Sequence, residues 1–295
     1  MFKVRRLLAP FVLCIALLFS EAQAFTIAWL SDTQNYHNAY KPIFDGMTQW
    51  IADNRAALDI RFVFHTGDVV GSWSSEDQWR QARESMGILS SASIPFLAAC
   101  GNHDIGYRMN YANFLKYVLS LRPASMSQEY GDTGSRYELF SANGRDYIFM
   151  GIAFSNKGPG EGEVNWINGV LRQYSSRDAI IITHSYLKKS ASYTTQGKAI
   201  FEKIVKANPN VFLVLCGHCR DISEKSVQLD DDGDGDPDRT VYAILSNFQG
   251  SKAGGGGYMR ILDFRDSDIY IYTYSPYYDS CEYPKGKTES TVPLP

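Results

Sequence analysis

The feature that most constrains this chain is a recurring juxtaposition: a short apolar segment, then a residue able to hold a metal ion. The segments Thr26–Leu30, Arg61–Phe64, Pro95–Ala99, Ala179–Ile182 and Val211–Leu215 are followed in turn by Asp32, Gly67-Asp68, Gly101-Asn102-His103-Asp104, His184 and Gly217-His218. Apolar runs this short, bounded by Gly, Asp and His, read as strands. In an open α/β sheet the carboxyl ends of strands form the ligand-binding rim, so groups spread over most of the chain can meet at one edge. A set of carboxylates, an amide and imidazoles gathered there suits Mn, Fe, Zn or Co better than a thiolate site would.

Amphipathic stretches lie between these strands. Lys41–Leu58 carries Ile43, Met47, Trp50, Ile51 and Ala57 at helical spacing, and Ser75–Leu89 opens with a Ser-Ser-Glu-Asp cap. Asn110–Leu121 and Glu163–Tyr174 read as further helices. The alternation predicts layered α/β architecture. Between Ser135 and Phe154, two β-rich runs flank Asn143-Gly144, the strongest short hairpin signal. After His218 the helical pattern stops. Val227–Leu229, Thr240–Leu245, Tyr258–Phe264 and Asp268–Tyr274 are expected to complete a second sheet against the first, and the tail from Pro276 to be irregular. Residues 25–295 contain no linker, repeat or long charge block, and are expected to form one domain.

Lys3, Arg5 and Arg6, the apolar run Leu7–Phe19 and Ala22-Gln23-Ala24 have the order of a secretory signal peptide, residues 1–24, cleaved after Ala24. The run is shorter than the roughly 20 residues of a membrane-spanning helix, so a secreted or periplasmic location is expected. Processing would leave 26 basic and 31 acidic residues, net −5, which gives no footprint for general nucleic-acid or anionic-membrane binding. Export permits disulfides. A Cys219–Cys281 bridge is one expectation, and four unbridged cysteines (Cys100, Cys216, Cys219, Cys281) the other. Cys216-Gly217-His218-Cys219 resembles a redox motif as a string, but a β-rich segment follows it where a helix is needed.

Asp230-Asp231-Asp232-Gly233-Asp234-Gly235-Asp236-Pro237-Asp238 resembles the front half of a calcium loop, without its closing Glu. A solvated acidic hairpin turn is favoured; the alternative is a structural calcium ion on Asp230, Asp232, Asp234 and Asp236. Gly254–Gly257 lacks the Lys-Ser/Thr of a phosphate loop and reads as a flexible or tightly packed turn.

The ordered series resembles that of the calcineurin-like metallophosphoesterases over nearly all of residues 25–295. The family order Asp-x-His, Gly-Asp, Gly-Asn-His-Asp/Glu, His, Gly-His-x-His stands here as Asp32-Thr33-Gln34, Gly67-Asp68, Gly101-Asn102-His103-Asp104, His184 and Gly217-His218-Cys219-Arg220. The resemblance implies an α/β fold in which two mixed β-sheets pack as a sandwich with helices on the outer faces. It also implies hydrolysis of a phosphomonoester or phosphodiester by a metal-bound hydroxide attacking phosphorus in line. Asp68, Asn102, His184 and His218 would hold one ion; Asp32 and Asp68 would hold another, with Gln34 and Arg220 where the family has histidines. His103 would protonate the leaving group or stabilise the transition state, with Asp104 orienting it.

Both departures fall on one ion, which makes the cofactor one or two transition-metal ions. A Gln oxygen can ligate; a guanidinium, always protonated, cannot. Either Asp32, Asp68, Gln34 and water retain the second ion while Arg220 grips a phosphate oxygen, or one ion binds and Arg220 pairs with Asp32. The presence of both aspartates favours the first. The rival function is a binding or scaffolding protein with an inactive site. Arg108, Tyr111, Arg122 and Arg136 lie in the insert where selectivity is expected.

Overall fold

The computed structural model describes residues 24–121, 128–283 and 288–295; Arg122 and the expected signal peptide up to Gln23 lie outside the described residues. Strand β1 (Phe25–Leu30) is buried throughout. Because successive side chains alternate, Phe25, Ile27 and Trp29 enter one apolar cluster and Ala28 and Leu30 another. A strand buried on both faces needs a layer on each side, and both are present.

The first sheet runs in the order β13 (Glu289–Pro293), β12 (Asp268–Tyr274), β11 (Met259–Phe264), β1, β2 (Ile60–His65), β3 (Phe96–Ala98). The second runs β4 (Gln128–Glu129), β5 (Arg136–Ala142), β6 (Arg145–Ile152), β7 (Asp178–Thr183), β8 (Val211–Cys216), β10 (Arg239–Asn247), β9 (Asp221–Leu229). Their facing sides share a cluster in which Phe149 lies edge-on to Phe62 and Phe64, with centroids 5.0 and 4.8 Å apart. Truncating such a ring to Ala costs about 3–5 kcal/mol.

Helices α1 (Lys41–Asp53), α2 (Glu76–Ser91) and α3 (Ala112–Tyr117) cover the outside of the first sheet through Phe44, Met47, Trp79, Met86 and Phe114. Helices α4 (Glu161–Gln173) and α5 (Thr195–Ile200) cover the second through Ile167, Leu171 and Ile200. The sandwich with outer helices is the expected architecture. Ser75 caps α2 by accepting from Gln78 N, above Glu76 and Asp77 in the first turn. Asn143 and Gly144 both have positive φ, as the tight hairpin turn between β5 and β6 requires.

Four expectations are corrected. The C-terminal strands do not form one sheet. The earlier chain leaves β8 and β1 as open edges; β10 pairs parallel to β8 with β9 folded back on it, and β11 to β13 extend from β1. The tail is not irregular throughout, since Ser290 and Val292 turn inward along β13. Two helices are shorter than expected: α1 stops where the Asn54 N–H and side-chain amide both close onto Trp50 O, and α3 gives way to a 3₁₀ turn at Leu119–Leu121. Of the two cysteine alternatives the unbridged one holds: Cys100, Cys216, Cys219 and Cys281 are all free. Cys219 packs beneath the second sheet whereas Cys281 is exposed in the turn after β12 of the first.

Candidate metal centre

Backbone hydrogen bonds stitch the strand ends into one rim. Thr66 N–H donates to Leu30 O, Asp32 N–H to Gly67 O, and Gly217 N–H to His184 O, at 3.1, 3.1 and 3.0 Å. Asp32, Asp68 and His218 have φ of 53°, 55° and 70°, a left-handed conformation that costs non-glycine residues about 1–2 kcal/mol each. It turns the chain sharply at the strand end and sends each side chain over the sheet edge. Two glycines make the approach possible. A Cβ on Gly101 would lie 2.1 Å from Asp68 Oδ1, and one on Gly217 2.2 Å from Asp32 Oδ2.

His184 is the centre of the site. Its Nδ1 lies 2.8 Å from the Thr66 carbonyl, which can only accept, so the ring proton sits there and Nε2 is left facing the rim. Around Nε2 stand Asn102 Oδ1 at 3.1 Å, His218 Nδ1 at 3.2 Å and Asp68 Oδ1 at 3.3 Å. Phe154 packs its ring against both imidazoles. Four atoms that offer lone pairs thus converge at one point. Such a cluster is stable only around a cation or a shared proton, and its N₂O₂ chemistry fits one transition-metal ion.

The electrostatics agree. Burial alone would depress His184, but Asp68 and Asp32 outweigh it and push it up to about 9. Burial and the His184 charge hold His218 down to about 4. Burial tends to raise Asp68, yet His184 brings it below the ordinary carboxylate range. His65, buried below, accepts from Gly67 N at Nδ1 and lies 3.0 Å from Thr33 Oγ1 at Nε2. Burial and His184 push it down to about 3, so it serves the loops as a neutral spacer.

The other half of the site is built differently. Asp32 is buried, and its oxygens accept from Ser31 Oγ and from His218 N at 3.1 and 3.2 Å. Burial, offset by His184 and reinforced by Asp68, pushes it up to about 7. Gln34 Nε2 donates to Asp68 Oδ2 at 3.1 Å and to Gln249 Oε1 at 2.7 Å, while its Oε1 is buried without a partner. Arg220 is exposed beside Gly250. The expected alternative in which Arg220 pairs with Asp32 is not formed: Asp32 turns instead to the backbone of the His218 loop, which lies closer than an exposed guanidinium. As arranged, these residues offer a second ion no nitrogen ligand, and the Gln34 amide presents its N–H, not its oxygen, to Asp68.

His103 is exposed, and its Nδ1 donates to Gly71 O at 2.8 Å, leaving Nε2 free toward solvent. Asp104 does not orient it. The buried Asp104 carboxylate accepts from Val69 N and Val70 N at 2.8 and 3.0 Å and from Gly101 N at 2.8 Å. Burial and the Asp68 charge push it up to about 7, against the Gly101 and Val70 N–H groups and His184. Its work is to clamp the loop carrying Asp68 to the loop carrying Asn102.

Residues 25–219 match the calcineurin-like phosphoesterase family. The chain belongs to that family. The Bacillus subtilis (strain 168) protein YvnB, itself uncharacterized, is 41% identical over 261 residues, which is 86% of this chain and 20% of YvnB, so the chain spans a fifth of that relative. Among solved structures, a dimetal phosphatase from Danio rerio superposes with a TM-score of 0.61 at 12% identity, covering 91% of this chain and 98% of its own. GAP50, the anchor in the inner membrane complex of Plasmodium, gives 0.59 at 13% identity, covering 92% and 89%. At these identities the likeness is one of fold. The two mixed sheets with outer helices are the calcineurin-like phosphoesterase fold, and Asp68, His184 and His218 form a His/Asp group able to hold a metal ion.

Several expected residues lie elsewhere. Tyr111 and Arg136 are buried, the first donating to Phe154 O and the second paired with Glu129, so of the selectivity residues only Arg108 is exposed among those described. In the acidic turn Asp230, Asp232 and Asp238 come together, whereas Asp234 and Asp236 do not join them. Backbone N–H groups and Arg239 occupy much of the turn's carboxylate capacity. The nine residues of β9, Asp221–Leu229, separate it from the His218 loop by about 30 Å, so it takes no part in the site. Gly254–Gly257 is a packed turn in which Gly257 N donates to the buried Tyr36 hydroxyl. Sequence reading missed Phe154, the Gly71 carbonyl and Gln249, none of which belongs to the ordered series of strand-end motifs.

Proposed function

We propose that this chain is an exported, metal-dependent phosphoesterase that hydrolyses a phosphomonoester or phosphodiester. The observation that carries the reading is the convergence of Asn102, Asp68 and His218 on His184 Nε2, all within 3.3 Å. An ion bound there supplies Lewis-acid polarisation of a phosphoryl oxygen and acidifies a water. The protein's own contribution is positional. Thr66 O fixes the His184 tautomer, Phe154 excludes water beneath the imidazoles, and the Asp104 clamp sets the spacing of Asp68 and Asn102. His103, held by Gly71 O, directs Nε2–H in its charged form at the leaving oxygen and becomes neutral as the alcohol departs. Arg220, free at the rim, offers its fork to a non-bridging phosphate oxygen.

The rival role in binding or scaffolding finds some support in the Plasmodium neighbour, which is described as an anchor. The complete four-ligand set and the free His103 favour hydrolysis. Aryl phosphate mono- and diesters assayed with added manganese, in the wild type and in Asn102→Ala, test the choice. Loss of Asn102 should abolish turnover. Activity that survives it, or that is absent with every metal, refutes the mechanism.

A further inference from the structure

We infer that the second ion position of this fold is closed by protein in this chain, and that the centre holds one ion. The inference rests on the phosphoesterase reading and sharpens it. Asp68 is the carboxylate that a pair of ions would have to share. Its Oδ1 faces His184 Nε2 and accepts from His103 N at 2.9 Å. Its Oδ2, the oxygen left to bridge, receives the Gln34 amide at 3.1 Å. The amide N–H takes one lone pair of Oδ2 and sets a donor, rather than the Gln34 oxygen, on the side where a second ion would sit.

The amide is fixed in this sense by its surroundings. Gln34 Nε2 is shared between two acceptors, Asp68 Oδ2 and Gln249 Oε1. Turning it over would set Gln34 Oε1 against an ionised carboxylate that only accepts. Gln249 is itself anchored: its N–H donates to Asn247 Oδ1 at 2.9 Å, and Asn247 Nδ2 donates to His218 O at 3.1 Å. The Gln34–Gln249 clasp is therefore tied to the loop that carries a ligand of the first ion. The remaining members of the second set give no nitrogen in compensation. Arg220 is a cation lying along Gly250, and Asp32 is engaged with Ser31 and the His218 N–H. One atom points the other way. The buried, unpartnered Gln34 Oε1 would become a ligand if the clasp opened.

The test counts ions rather than turnover. The purified protein is stripped with chelator, incubated with excess manganese chloride, passed through a desalting column and measured for manganese per chain; the same sample gives an electron paramagnetic resonance spectrum. The wild type should hold one manganese with the spectrum of an isolated ion. The Gln34→His/Arg220→His double variant, which restores two nitrogen ligands, should hold two with an exchange-coupled spectrum. Two coupled ions in the wild type, with ester hydrolysis intact, overturn the inference and leave the phosphoesterase reading standing. No bound ion when the same loading is repeated with manganese, zinc, cobalt and iron overturns both. A folded double variant that still holds one ion shows that Gln34 and Arg220 are not what closes the position. If that variant does not fold, the wild-type count decides alone.

Discussion

Asp104→Asn separates two roles for a residue beside the proposed acid. In the structure Asp104 Oδ1 takes two N–H groups and Oδ2 takes Gly101 N at 2.8 Å. Asparagine keeps one oxygen and turns an NH₂ toward Gly101 N–H. The change removes one hydrogen bond to a charged acceptor, worth about 1.5–3 kcal/mol, and leaves a buried donor facing a donor. With partial relief from removing a buried carboxylate, the net loss is about 2–3 kcal/mol, or roughly 5–10 °C in Tm for a domain of this size. The two loops joined by Asp104 carry Asp68 and Asn102, so metal affinity should fall about 10–100-fold as well. Circular-dichroism melts of the chelated protein at pH 8 and manganese titration calorimetry measure both effects. If instead Asp104 worked by orienting His103, the variant would melt within about 1 °C of the wild type, bind metal normally and lose kcat with an altered pH profile. That pattern would refute the clamp.

His103→Ala should lower kcat by about 10²–10⁴ while metal content and Tm stay unchanged, because its side chain is exposed and its side-chain hydrogen bond among the described residues is to Gly71 O; metal loss in this variant would show His103 to be a ligand. Arg220→Ala should raise KM for phosphate esters without changing Tm, since the guanidinium has no partner among the described residues; steady-state kinetics and a melt decide this together. Metal binding should strengthen as pH rises from 6 to 9. His184 is raised from 6.5 to about 9 in the metal-free fold, so its proton stabilises that fold fully below pH 6.5 and ceases to do so as pH rises through 9, while an ion must displace it. The rise in Tm on adding manganese should accordingly be larger at pH 9 than at pH 6, and a smaller rise at pH 9 contradicts the assignment.

What could be read from the sequence was local. A strand end followed by Asp, Asn or His is a short-range pattern, and it located Asp32, Asp68, Asn102, His184 and His218 because the parallel strands deliver all of them to one rim. Long-range pairing had no such signature. Nothing in Val227–Leu229 or Tyr258–Phe264 says which sheet each joins, since that depends on which edges remain open. The role of Asp104 was misassigned for a related reason: its neighbour in sequence is His103, but its neighbours in space are the N–H groups of Val69, Val70 and Gly101. Gln34 was visible as a departure from the family pattern, whereas its partner Gln249 lies 215 positions away in the chain and is found only by folding it.

The central claim, that Asp68, Asn102, His184 and His218 form a catalytic metal site, is tested most directly by reconstitution. The chelated protein is assayed for aryl phosphate ester hydrolysis as manganese, zinc, cobalt or iron is returned in steps. Activity should be absent without metal, return with at least one of these ions, and saturate as the site fills. Hydrolysis that persists at full rate in the chelated protein, or that no ion restores, would contradict it.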